Sequence, residues 1–173
     1  MLSQPGIVTR PEQPYVAIGR RVTMSNLGSI LPPLIPQLFE WIARRGVTAS
    51  GAPFFRYLTI DMENSLDVEV GVPLAAPASG DTTVHPGVLP AGRYASVIHT
   101  GPYDELVAAN AALQTWARAN GHKWAMTHSS AGEQWVSRLE IYLSDPSVET
   151  NSARWQTEIA YLLADDDGAR RRV

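Results

Sequence analysis

The sequence predicts an α+β domain built from two copies of a βαββ unit. Three observations carry this. Two helix-like segments close on a glycine, at residues 38–46 and 113–121, and Leu38/Leu113, Trp41/Trp116 and Gly46/Gly121 are each offset by 75 positions. One β-like run precedes each segment and two follow it. Residues 75–91, with Pro77, Gly80, Pro86, Gly87 and Pro90, divide the folded part into two pieces of similar size.

Taken in order, residues 1–13 contain Pro5, Gly6 and Pro11 and read as a flexible lead-in. The first repeat spans 14–74. It opens with a β-like run at 15–23 and closes with two more at 53–60 and 66–74. Between them Ile30, Leu31, Leu34, Leu38, Trp41 and Ile42 keep helical spacing, but Pro32, Pro33 and Pro36 interrupt it. A kinked helix, or one starting near Pro32 after an irregular turn, is expected. Residues 75–91 form a connector.

The second repeat spans 92–164. A strand is expected at 92–100 and two more at 134–144 and 154–163. Thr100-Gly101-Pro102 offers a capping hydroxyl and a first-turn proline, with Asp104 and Glu105 at the positive helix end. Leu106, Ala109, Leu113, Trp116 and Ala117 then make one apolar stripe, so Trp41 and Trp116 are expected in the core. Residues 165–173 hold three acids and Arg170-Arg171-Arg172 and read as a disordered, solvated tail.

Composition narrows the function classes. With 173 residues, 45% apolar, the chain fits one domain with a real core. A net charge of −3 argues against direct nucleic-acid binding, which needs a basic face. The absence of Cys excludes disulfides, thiolate nucleophiles and cysteine zinc sites. His85, His99, His122 and His128 lack metal-ligand spacing, and no phosphate loop or Gly-x-Ser-x-Gly elbow occurs, so no metal and no cofactor is expected. No secretory leader and no apolar run long enough to span a bilayer is evident, and a cytoplasmic location without membrane contact is expected.

Strand alternation places the candidate site. Leu139, Ile141 and Leu143 are expected against helix, with Arg138, Glu140 and Tyr142 on the opposite face. Leu66, Val68, Val70 and Val72 likewise face away from Asp67 and Glu69. The two helix-free faces would then flank a cleft. Glu140 sits between apolar neighbours, and a buried carboxylate needs a partner. That partner is either a core cation, Arg138 or Arg56, or a ligand cation. Tyr57 and Tyr142 hold matching positions and either line the cleft or are ordinary strand tyrosines. Glu69 and Glu158 are a second matched pair, read as polar strand positions or as further cleft acids. Phe55, Trp135 and Trp155 are candidate wall residues.

The runs Tyr15-Val16-Ala17-Ile18-Gly19, Asp67-Val68-Glu69-Val70-Gly71-Val72-Pro73, Pro90-Ala91-Gly92-Arg93-Tyr94, His99-Thr100-Gly101-Pro102-Tyr103-Asp104-Glu105-Leu106 and Leu139-Glu140-Ile141-Tyr142-Leu143 resemble, in that order, the GyrI-like family. It includes the effector-binding domains of AraC-type and MerR-type multidrug-sensing regulators. The resemblance covers roughly residues 14–164. It implies two βαββ units about a pseudo-two-fold axis, two helices on an antiparallel sheet, and a central groove for a bulky, cationic or aromatic compound. It puts the pocket acid on Glu140 and the following tyrosine on Tyr142. No counterpart of the regulators' helix-turn-helix is expected before Pro14, so a direct transcriptional role is not.

The expected function is therefore a stand-alone small-molecule binder. A second reading is a small hydrolase of strained, cyclopropane-bearing electrophiles, with Glu140 as general base and Tyr57 or Tyr142 orienting the substrate. A third is a protein-interaction modulator. The oligomeric state is left open.

Overall fold

Ten strands and three α-helices form among residues 1–165, the part of the chain that the computed structural model describes. The tail expected at 165–173 lies, from 166 onward, outside the described residues. The strands are β1 (Gly6–Arg10), β2 (Gln13–Val22), β3 (Phe54–Ile60), β4 (Leu66–Pro73), β5 (His85–Leu89), β6 (Gly92–Thr100), β7 (Met126–Ser129), β8 (Gly132–Trp135), β9 (Arg138–Tyr142) and β10 (Gln156–Leu162). The helices are α1 (Leu27–Ile30), α2 (Leu34–Arg45) and α3 (Leu106–Ala119). One antiparallel sheet runs β1-β6-β10-β9-β3-β4-β2-β5, with the β7–β8 hairpin attached to β3.

The order is a duplication. β2, α2, β3, β4 in one half correspond to β6, α3, β9, β10 in the other, and the halves join through β3 and β9. Phe55 lies directly opposite Glu140 at that seam. The register that matches Tyr57 to Tyr142 also matches Phe55 to Glu140, so equivalent positions face each other at the pseudo-axis. Only one of the two is acidic.

Short links bend the sheet. β1 and β2 are six strand spacings apart, about 29 Å in a flat sheet. Only Pro11 and Glu12 connect them, a reach of about 11 Å. Pro90 and Ala91 make the equally short step from β5 to β6. The sheet therefore curls into a half-barrel. Its helix-free face is packed by Tyr15, Ala17, Phe54, Leu89, Tyr94, Leu139, Ala160 and Leu162. Gly71 and Gly87 make this possible: a Cβ at either would stand 2.4 Å from the ring of Phe54 or Tyr15.

The other face carries α2 and α3 over Val16, Ile18, Val68, Val70, Val97 and Ile159. Trp41 is buried there, with Nε1 donating to Asp81 at 2.6 Å, and Trp116 is half-buried at the margin.

Several elements differ from the sequence expectation. The first 13 residues are not a loose lead-in, because β1 pairs along β6 and Ser3 donates to Ile98. The connector contains β5, which pairs with β2. The proline-broken helix resolves into the single turn α1 and then α2, which starts after Pro33. Pro36 falls in the first turn, where an N–H would have no partner. Gly46 closes α2 at φ 66°. Before α3, Tyr103–Glu105 forms a 3₁₀ turn, and no side chain caps either segment; the Thr100 hydroxyl does not serve. The run 134–144 breaks at Val136 and Ser137 into β8 and β9.

The largest correction concerns β9. Leu139 and Ile141 face the inside of the half-barrel, and Glu140 and Tyr142 face the helix side. Both faces of this strand are covered, so alternation alone could not tell them apart.

Candidate functional site

Between α2 and α3 the helix-bearing face is left open over the β3–β9 seam. The cleft holds about 1530 Å³, which is large for a small-molecule site. Phe55 and Tyr57 from β3 and Arg138, Glu140 and Tyr142 from β9 make its floor. Ile35 and Phe39 of α2 form one wall. Leu106, Val107 and Asn110 of α3, with Tyr103 just before it, form the other. Asp61, Asp104, Glu133 and Asp145 stand at the margins.

Glu140 is 7% exposed. Its Oε2 accepts from the Tyr57 hydroxyl at 2.8 Å and the Tyr142 hydroxyl at 3.0 Å. Its Oε1 accepts from Asn110 Nδ2 at 2.8 Å. The same Nδ2 donates to the Leu106 carbonyl, and Asn110 Oδ1 accepts from Tyr161. Burial first, then the Glu140 charge, raises both tyrosine hydroxyls well above the ordinary phenol range. Both therefore stay protonated donors at neutral pH.

Neither expected core cation reaches Glu140. Arg56 lies on the inner face, donating to the Tyr15 hydroxyl and pairing with Glu69 at 3.4 Å. The Arg138 guanidinium is stacked instead, 5.8, 4.8 and 4.7 Å from the ring centroids of Tyr57, Trp135 and Tyr161. Among the described residues no Arg, Lys or His forms an ion pair with Glu140.

The remaining sequence candidates lie elsewhere. Glu69 and Glu158 share the inner face, away from the cleft. Glu69 accepts from Tyr15 at 2.6 Å and meets His85 Nε2 at 2.8 Å. Glu158 pairs with Arg10 and accepts from Ser96. Trp135 is buried against Trp124 and Tyr161, behind the floor. Trp155 backs the cleft, its ring 4.5 Å from that of Tyr103. Phe55 meets Tyr142 edge-on at 4.7 Å. Asn110 went unnoticed in the sequence, although it is a polar residue four positions after Leu106 on the apolar stripe of α3.

The sequence matches the GyrI-like small molecule binding domain over residues 3–163. The chain belongs to that family. Structural neighbours of this GyrI-like domain include the C-terminal domain of EcmrR, at 24% identity and TM-score 0.74, covering 94% of this chain and 98% of that one. EcmrR in complex with DNA matches at 24% identity and TM-score 0.75, covering 94% of this chain; the GyrI-like domain spans 58% of that EcmrR chain. SAV2435, solved with tetraphenylphosphonium bound, matches at 10% identity and TM-score 0.60, covering 97% and 98%. A structure from Listeria innocua named a hydrolase matches at 14% identity and TM-score 0.61, covering 93% and 92%. At these identities the likeness is one of fold. Comparison with curated proteins returns no match. Among the described residues no helix is long and apolar enough to cross a membrane.

Proposed function

We propose that this GyrI-like domain takes a bulky aromatic cation into the cleft, with the Glu140 carboxylate as its counter-charge. One observation carries the reading. A buried carboxylate is held by three neutral donors and has no ion pair among the described residues. Hydrogen bonds offset part of the cost of burying the charge, and a ligand cation would offset the rest. Phe55, Tyr57, Tyr103 and Tyr142 line the cleft and would add about 0.5–2 kcal/mol for each cation–π contact made. The hydrolytic reading asks Glu140 to activate a water. Three donors already compete for its oxygens, so the geometry favours binding.

The test is calorimetric titration with tetraphenylphosphonium and with neutral triphenylphosphine oxide, on the wild type and on Glu140→Gln. The cation should bind at least tenfold more tightly than the oxide, and Glu140→Gln should abolish that preference. Equal binding of the two compounds, or an unchanged cation affinity in the variant, would reject the reading.

A further inference from the structure

We infer that the cleft is built for amphoteric aromatic ligands, with Arg138 as a second, positive anchor for a carboxylate or similar acceptor on the same molecule. This rests on the reading of Glu140 as the cation's partner and adds the ligand class.

Arg138 and Glu140 both project into the cleft from β9. Two residues apart on one strand face, their Cα atoms lie about 7 Å from each other. Opposite charges so placed, on long side chains, normally pair. Here Tyr57 stands between them: its ring carries the guanidinium and its hydroxyl holds the carboxylate. Trp135 and Tyr161 complete the clamp on Arg138. The arginine is thus held mainly by stacking, with only a long contact to an acid.

Its polar needs are only partly met, by the Tyr161 hydroxyl. The Arg138 side chain is 14% exposed, and its Nε is buried without a hydrogen-bond partner. The nearest carboxylate, Glu133, stands at 3.8 Å, outside hydrogen-bond range, and already accepts from Trp135 Nε1 at 2.9 Å. A guanidinium is always charged and presents a fork that matches a carboxylate. A simple cation entering the cleft would be drawn to Glu140 and repelled by Arg138. A ligand with a cationic end and an anionic end would satisfy both.

Rhodamine 110 and rhodamine 123 test this, because they share one cationic aromatic core and differ in a free carboxylate against its methyl ester. Fluorescence anisotropy at pH 8 should show rhodamine 110 binding at least tenfold more tightly to the wild type. In Arg138→Met, which keeps an unbranched chain among the three rings, rhodamine 110 should weaken at least tenfold while rhodamine 123 tightens. A merely structural arginine would weaken both dyes together. Equal or reversed preference in the wild type, or a preference that survives Arg138→Met, overturns the inference. Should Arg138→Met not fold by circular dichroism, Arg138→Gln and the wild-type comparison decide it. A tetraphenylphosphonium titration separates the two readings. Glu140-dependent binding of that cation without a rhodamine preference rejects the amphoteric ligand alone. Failure of all three compounds to bind rejects both.

Discussion

Asn110 on α3 donates through Nδ2 to Oε1 of Glu140 on β9, over 2.8 Å, across the wall and floor of the cleft. This bond ties α3 to the central seam of the sheet. It also fixes the Asn110 amide, whose other contacts are the Leu106 carbonyl and the Tyr161 hydroxyl. Replacement by Leu would strip Glu140 Oε1 of its donor and the Tyr161 hydroxyl of its acceptor, while the Leu106 carbonyl keeps the helical N–H of position 110. Each unsatisfied group costs about 1–3 kcal/mol. Asn110→Leu should therefore lower unfolding free energy by about 2 kcal/mol or more in urea titrations and loosen cation binding. Asn110→Asp should be worse at neutral pH, because it faces Glu140 with a second carboxylate, and should recover stability on acidification. A near-neutral Asn110→Leu would mean that the amide does not organise Glu140.

The two hydroxyls on Oε2 back each other up. Tyr57→Phe or Tyr142→Phe alone leaves the oxygen one donor, and each should cost about 1 kcal/mol. The double variant leaves Oε2 with none, so its cost should exceed the sum of the singles by about 0.5 kcal/mol or more. Chemical denaturation of the four proteins closes the cycle. Strict additivity would show that the hydroxyls act independently.

What the sequence made legible was local. Glycine-closed helices, alternating strands and the 75-residue offset are short-range signals, and they revealed the duplication. The closure of the sheet was not legible, because it depends on which strands become neighbours across long separations. That closure buries Leu139 beside Ala160 and Leu162 and turns Glu140 toward the helices. It also recruits residues 6–10 and 85–89 as strands, although their prolines and glycines read as loop. Glu140 and Tyr142 stood out because an acid and a phenol interrupt an apolar strand. Asn110 carried the same signal on a helix, as the one strongly polar residue among Leu106, Ala109, Leu113 and Ala117.

Alkaline pH should unfold the domain from within. Burial above all pushes the Tyr161 phenol up to about 12, and burial with the Glu140 charge raises Tyr57 and Tyr142 well above 10. In the unfolded chain these groups titrate near pH 10. Above that pH the unfolded state sheds protons that the native state keeps, so stability falls as pH rises toward the native values. Tyr161 alone opens a window from about pH 10 to 12, where about 3 kcal/mol is lost. Urea midpoints should hold steady from pH 8 to 9.5 and drop steeply beyond 10, and Tyr161→Phe should show a shallower slope. A midpoint unchanged at pH 11.5 would contradict the burial of these phenols.

Two buried acids, Glu69 and Glu140, should separate by what their loss does. Glu69 sits on the inner face with Tyr15, Arg56 and His85, a closed set in which its charge is already matched. Removing Arg56 leaves that carboxylate without its guanidinium partner, and breaking such a pair from one side costs about 3 kcal/mol or more. Arg56→Met should lower stability by that order and leave the affinity for tetraphenylphosphonium within twofold of wild type, because the sheet lies between this cluster and the cleft. Glu140→Gln should do the reverse, with a large loss of affinity and a smaller loss of stability, since glutamine retains an acceptor for the tyrosines. The two measurements on two variants give four numbers. If Arg56→Met weakened the cation as much as Glu140→Gln, the inner face of the half-barrel would have to communicate with the ligand, and the assignment of binding to the helix side alone would fail.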